Sequence, residues 1–300
     1  MTCLSRICLG SAQFGAAYGI SNRWGRPQER DIQVVLEYAA ESGIGYIDTA
    51  PSYGDAEVLI GKYLPRNRNL RIVTKVSPVA DSRINISHAN SAIAAIENSL
   101  RRMRLDCAYA VLVHHASDMS KPGAEWLVAA LIKAQERGLV ENIGASVYDS
   151  AQISEVRRRV RVDLIQLPLN VLDRRLETGG DIEKLKADGI EVHARSVFLQ
   201  GLLLMEPNDL PEYFAPLRET LARLHDAWRG QGVSPLCACL AFALRRDGVD
   251  AVVVGVNRLS ELCEIHRAVV NLHDIAPETG PDFRVAPMFL NPACWPSFAD

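Results

Sequence analysis

The chain has 300 residues, 48% of them apolar and 23% charged, an ordinary globular composition with ample material for a core. Thirty-three Lys and Arg against 36 Asp and Glu leave a net charge of −3. That excludes the basic excess of a general nucleic-acid binder and the acidic bias of a disordered tail. The length is about twice that of a common domain, yet parallel α/β barrels run to ~250 residues as one unit.

Met1 to Gly10 carries one arginine and no apolar run of signal length, so no export signal is expected. The most apolar segment, Val233 to Leu244, contains Ser234 and Pro235 and falls far short of the ~20 residues that span a bilayer, so no membrane association is expected. The seven cysteines, at 3, 8, 107, 237, 239, 263 and 294, show no C-x-x-C spacing. They read as free thiols of a cytoplasmic protein. Cys237 and Cys239 stand two apart in a helical stretch, point to different faces and make a poor metal pair.

The elements follow one rhythm along the chain. A first strand at 6–9 precedes a helix over 28–42 that ends at Glu41-Ser42-Gly43, and Tyr46-Ile47-Asp48 forms the next strand. A helix over 54–63, a strand over 70–75 and a helix over 88–103 come next. In the last, Ala89, Ile93, Ile96, Leu100 and Met103 recur at three- and four-residue steps, an amphipathic stripe. A strand over 109–114 leads to a helix over 123–137 closing at Gly138, then a strand over 140–146 and a helix over 149–159. The strand over 162–167, helix over 181–188, strand over 190–194 and helix over 213–230 continue the series, which ends with a strand over 251–254 and a helix over 259–272.

Gly43, Gly138, Gly189 and Gly248 each stand between a helix end and a strand, where the left-handed conformation gives a tight turn. Apolar strands alternating with helices need burial on both faces, which means a parallel sheet. Eight in series point to an α/β fold of the closed (β/α)8 TIM-barrel class, one domain over 1–300. Residues 273–300, with Pro at 277, 281, 287, 292 and 296, are too irregular for another repeat and are expected as a tail draped over the barrel mouth.

In such a barrel the chemistry sits at the C-terminal ends of the strands. There the sequence places Asp48 with Tyr53 just beyond, Lys75, and His114 with His115. Singly, each has a bland explanation: a helix cap, a rim charge, a satisfied hydrogen-bonder. Together at consecutive strand ends they read as an acid/base set. Tyrosine's ordinary pKa near 10 is too high for ready proton exchange at neutral pH. A lysine ammonium about 4 Å from a phenolate favours it by roughly 4 kcal/mol at an effective dielectric of ~20. Asp48 would hold Lys75, and His114 would direct a carbonyl oxygen toward the Tyr53 hydroxyl. The hydride must come from a cofactor. There is no G-x-G-x-x-G and no Walker A loop, so no Rossmann or P-loop site is indicated.

At these residues the sequence resembles the aldo-keto reductase family. The pieces are Gly10 to Gly15, Asp48-Thr49-Ala50-Pro51-Ser52-Tyr53-Gly54 with Glu57 and Gly61, Thr74-Lys75, and Val111 to His114. Later pieces are Ile143 to Ser146, Ile165-Gln166 with Asn170, Gln200-Gly201-Leu202 and Val253-Val254-Gly255. Tyr18 to Asn22 and Asn291 to Trp295 also look like a branch found in bacterial polysaccharide gene clusters.

The resemblance implies an NADPH-dependent carbonyl reductase, with NADH also admissible, acting on a small-molecule carbonyl substrate. It implies Tyr53 as proton donor, Lys75 and Asp48 as its tuning partners and His114 as carbonyl orienter. Ser146 and Gln166 match positions that bind the nicotinamide carboxamide, and Ser11 falls in the opening glycine piece of the same site. Ser196, Gln200 and Gly201 match the loop over the pyrophosphate, and Gly255, Asn257 and Glu264 the adenosine end.

Three departures stand out. Val147 replaces an Asn that helps grip the carboxamide, and Arg195 replaces an aromatic residue stacked on the nicotinamide, which implies a preference for the neutral, reduced ring. Glu261 replaces an Arg that pairs with the 2′-phosphate, and Ile265 replaces an Asn; Arg258 could substitute for the lost cation.

Phe14, Tyr18, Trp24, His115, Tyr148 and Trp295 are candidates for the substrate wall, suiting a sugar-like molecule or a small aldehyde. Competing readings are a cofactor-sensing subunit with little turnover, an isomerase using bound cofactor transiently, and a metal-dependent hydrolase built on His114, His115 and Asp48. The last is disfavoured because adjacent strand residues face opposite ways. No metal site is expected.

Overall fold

The computed structural model describes residues 3–65, 70–272, 283 and 285–296. Eight strands follow one another as parallel neighbours: β1 (Ile7–Gly10), β2 (Tyr46–Asp48), β3 (Arg71–Val76), β4 (Ala108–Val113), β5 (Val140–Ser146), β6 (Leu164–Pro168), β7 (Glu191–Arg195) and β8 (Ala251–Gly255). β1 pairs with both β2 and β8, which closes the barrel. Around it lie α1 (Glu29–Glu41), α2 (Ala56–Tyr63), α3 (Ile86–Met103), α4 (Ala124–Glu136), α5 (Ser150–Arg159) and α6 (Asp181–Ala187). α7 (Arg218–Gly230), α8 (Pro235–Leu244) and α9 (Leu259–Val270) complete the outer layer.

The predicted helix over 213–230 starts later: residues 212–217 form a tighter 3-10 turn around Pro216, which has no N–H for an α-helical bond. The apolar run beyond it is a helix of its own, α8, capped by Ser234 with Pro235 in its first turn. Two helices therefore separate β7 from β8. No helix among the described residues is long and apolar enough to cross a membrane. Gly43, Gly138, Gly189 and Gly248 all take positive φ, at 84°, 69°, 73° and 87°. The helix-to-strand turns are built as expected.

Each strand alternates between two cores. Ile7, Leu9, Ile47, Ile72, Val111, Ile143, Ile165, Val192 and Val252 face outward and join one large cluster with the helices. Cys8, Tyr46, Val73, Ala110, Leu112, Leu164 and Ala251 face inward and form a second, smaller cluster inside the barrel. The floor of the interior is polar. Glu191 accepts from Tyr46 Oη at 2.6 Å and also from Tyr109 Oη, and it contacts His193 Nε2 at 2.8 Å. The Arg71 guanidinium carbon lies 4.0 Å from the centre of the Tyr46 ring.

Burial opposes ionisation of Glu191, but the bonds from His193, Tyr109 and Tyr46 outweigh it and hold its pKa down at about 2. A carboxylate depressed in the folded state stabilises the fold fully above its unfolded pKa of about 4.3 and loses that contribution as pH falls toward 2. Urea midpoints measured from pH 6 to 2.5 should therefore drop on the acid side, and drop less in Glu191→Gln. An identical acid limb in both would contradict this.

In the tail, Pro287–Leu290 forms one helical turn, and the Trp295 ring stands 4.8 Å, centre to centre, from that of Phe214. Residues 273–282, 284 and 297–300 of the expected drape lie outside the described residues.

Candidate active site

Alternation carries one side chain per strand into the C-terminal mouth. Gly10, Asp48, Lys75, His114, Ser146, Gln166, Arg195 and Gly255 come from β1 to β8 in turn, or directly follow them, and all line one cavity of about 500 Å³. Six of the eight are polar. The two glycines are paired across β1 and β8, and they open the wall on that side, where the cavity continues to Asn257 and Glu261 at the start of α9. A Cβ on Gly255 would run into the Gln13 side-chain amide.

Lys75 is buried, and its Nζ donates to both Asp48 carboxylate oxygens at 2.7 Å and to the Thr49 carbonyl at 3.0 Å. Burial works against the ammonium, but Asp48 and then Tyr53 outweigh it, so its pKa is raised and it stays charged. Nζ lies 5.1 Å from the centre of the Tyr53 ring, close enough for its charge to act on the phenol. The pair is braced from behind. Thr74 Oγ1 donates to buried Glu57 at 2.8 Å, and Arg102 Nε donates to the other Glu57 oxygen at 2.8 Å, tying α2 to β3 and α3.

Tyr53 departs from expectation. Burial raises its pKa above the ordinary 10, and the lowering by Lys75 does not overcome it, partly because Asp48 pushes the same way as burial. The phenol is therefore fully protonated at neutral pH. His114 lies edge-on to Tyr53, ring centres 5.9 Å apart. Burial, with Lys75 and His115 nearby, lowers its pKa to about 4, so the imidazole is neutral above that pH. His114 Nδ1 is buried and has no hydrogen-bond partner among the described residues. His115 also lines the cavity, 5.4 Å from His114 ring to ring, since it lies past the end of β4, where the strict alternation of the strand stops. No group of three His, Cys, Asp or Glu among the described residues could hold a metal ion.

Gln166 donates its amide to Asp48 Oδ1 at 2.8 Å, which leaves its carbonyl oxygen for a ligand. Arg195 spans this end of the groove: Nε reaches Ser146 Oγ at 3.3 Å, Nη1 reaches Ser196 Oγ at 3.3 Å and Nη2 reaches the Val147 carbonyl at 2.9 Å. Its guanidinium carbon sits 4.1 Å from the centre of the Tyr148 ring. After β7, Ser196, Leu199, Gln200 and Gly201 take positive φ of 60°, 48°, 54° and 90°. Consecutive left-handed residues are strained for side-chain-bearing positions and shape backbone concavities that suit phosphate oxygens. The elongated groove, that concavity and the free Gln166 oxygen fit a dinucleotide.

The loop after β1 roofs the groove. Ile20 N–H donates to the Gln200 carbonyl at 3.1 Å, Gln200 Nε2 donates to Tyr18 Oη at 3.3 Å, and a Cβ on Gly201 would strike Ser21. Several expected residues sit elsewhere. Trp24, expected at the substrate, does line the cavity but at its far end, where it stacks on Arg258, 3.7 Å from guanidinium carbon to ring centre. Trp295 packs on Phe214, and Pro292 lines the cavity in its place. Phe14 is core, and Ser11 is buried beneath the groove, its Oγ without a hydrogen-bond partner among the described residues. Glu264 and Asn257 line the α9 end; Arg258 does not. Gln13, within the Gly10 to Gly15 piece, also lines the cavity, and Leu204 and Leu236 do so without any signal in the sequence, because loop and helix-end positions carry no period.

The family model of the Aldo/keto reductase family matches residues 6–275. Among curated relatives, aldo-keto reductase YhdN of Bacillus subtilis (strain 168) is 25% identical, over 94% of this chain and 95% of its own length. The NADH-specific methylglyoxal reductase of Escherichia coli (strain K12) is 30% identical, over 67% of this chain and 65% of its own length. Among solved structures, the holo form of an aldo-keto reductase from Bacillus halodurans shares the fold with a TM-score of 0.73 at 22% identity, covering 91% of this chain and 89% of that one.

Proposed function

Because the chain belongs to the aldo/keto reductase family, we propose that it reduces a small aldehyde or ketone, sugar-like or simple, to the alcohol, with Tyr53 as proton donor. The observation that carries this is the meeting of Tyr53, Lys75, Asp48 and His114 at one end of a groove that runs on to Asn257 and Glu261. A reduced nicotinamide, when bound, supplies the hydride that goes to the carbonyl carbon. Ser146 and the Gln166 carbonyl oxygen would hold its carboxamide, and the strained loop after β7 would hold the pyrophosphate.

The chain's own groups handle the oxygen. Neutral His114 donates to the carbonyl oxygen and aims it at Tyr53. The phenol, protonated at neutral pH, gives up its proton as negative charge develops there. The phenolate left behind faces the Lys75 ammonium, which favours it by roughly 4 kcal/mol at ~4 Å and an effective dielectric of ~20. Protonation of the phenol in the resting site and stabilisation of the phenolate in the reaction are complementary, since only the second acts on the transition state. Asp48 keeps the ammonium in place. Which of NADPH and NADH serves turns on the far end of the groove.

The test is a panel of aldehydes, ketones and aldoses assayed with each reduced dinucleotide by loss of nicotinamide absorbance. Multiple turnovers with at least one carbonyl are expected. Tight dinucleotide binding with no turnover on any carbonyl would favour a sensing role instead.

A further inference from the structure

The end of the groove away from Tyr53 carries charge that carbonyl reduction does not use. Asn257, Glu261, Glu264 and Ile265 line it at the start of α9. The N-terminus of a twelve-residue helix ordinarily offers free N–H groups and a positive dipole end to an anion. Here the first turn carries a carboxylate of its own, which turns back onto the residue ahead of the helix cap. Glu261 Oε2 accepts from the Asn257 backbone N–H at 2.7 Å and from the Asn257 side-chain amide at 3.4 Å. Arg258, the cation of this turn, has its Nε 3.9 Å from Glu261 Oε1 and its guanidinium under the Trp24 ring, outside the groove lining. Glu264 adds a second carboxylate. Two carboxylates against one guanidinium leave this end with one net negative charge. Asn257 Oδ1 is buried with no hydrogen-bond partner among the described residues.

Resting on the reading of the groove as a dinucleotide site, we propose that this end selects NADH over NADPH, with Glu261 as the selecting residue. The unphosphorylated adenosine ribose brings two hydroxyl donors to an end made of carboxylate oxygens and an unused amide oxygen. A 2′-phosphate brings about two more negative charges and acceptors only. The helix end that would receive it carries the Glu261 carboxylate in its first turn, and the nearby guanidinium is engaged with Glu261 and Trp24. This reverses the expectation of NADPH drawn from the family resemblance.

The experiment is calorimetric titration of the full chain with NADH and NADPH, read as binding and independent of turnover. A unit charge about 6 Å from another at an effective dielectric of ~20 shifts an equilibrium roughly a hundredfold, and solvent and salt reduce that to about tenfold. NADH should therefore bind about tenfold tighter than NADPH. Glu261→Gln retains an oxygen for the Asn257 N–H and removes the charge; the preference should shrink toward unity. Glu261→Arg should reverse it. Equal or tighter NADPH binding by the wild type overturns the proposal and leaves carbonyl reduction standing, and this ratio decides the case even if a variant fails to fold. An unchanged ratio in folded Glu261→Gln overturns the role of Glu261. Binding of neither dinucleotide overturns the reading of the groove and this inference with it.

Discussion

Tyr53→Phe is expected to bind the reduced dinucleotide almost as the wild type does while its turnover falls by roughly 10²–10⁴, the range a positioned acid contributes. The change removes one oxygen and leaves the ring, so the edge-on contact with His114 and the packing against Gly15 persist. What disappears is the proton. His114, neutral down to about pH 4, cannot replace it, because a neutral imidazole is a far weaker acid than the protonated form. Calorimetric titration and steady-state rates on the same preparation separate the two effects. Retained turnover would show that another acid serves.

Lys75→Met should damage both chemistry and fold. Turnover should fall at least as far as in Tyr53→Phe, since the phenolate loses the charge that stabilises it. Stability should fall as well. Asp48 is buried, and with Lys75 gone only the Gln166 amide at 2.8 Å still donates to its carboxylate among the described side chains. Breaking a buried ion pair from one side typically costs about 3–5 kcal/mol, because the remaining charge is stranded. Adding Asp48→Asn to Lys75→Met should restore part of the urea midpoint and none of the turnover. Recovery of turnover in that pair would show that the Lys75 charge plays no part in the chemistry, and equal stability of single and double variants would show that Asp48 is not stranded.

The barrel and much of the mouth were legible because both rest on period. Apolar runs between amphipathic helices located the strands to within two residues, and each strand's last inward position then had to face the mouth. Asp48 and Lys75 follow from that alone, and His114 extends it by one residue, whereas Ser146, Gln166 and Arg195 came from the resemblance to the aldo-keto reductase family. Tyr53 lies in a loop, and its place depended on the D-T-A-x-x-Y-G block.

Where period ends, so did legibility. The loop after β1 carries Tyr18 and Trp24 across the groove to Gln200 and Arg258, contacts between positions nearly 200 residues or more apart that no local pattern encodes. Trp295 and Phe14 are apolar enough to wall a pocket but pack better in the core. The phenol's raised pKa was not legible because the desolvation that outweighs the Lys75 charge depends on how deeply the loop buries the ring. α8 was visible as an apolar stretch, yet its Ser-Pro start identifies it as a separate helix only once the preceding turn is in view.

Hydride transfer to a carbonyl is tested most directly by isotope. The enzyme is supplied with reduced dinucleotide carrying deuterium on the transferable position, and the alcohol it forms from an aldehyde is analysed by mass and by NMR. One deuterium on the carbinol carbon of every product molecule is predicted. Alcohol formed without deuterium at that carbon, or labelled dinucleotide consumed with no alcohol appearing, would contradict the account.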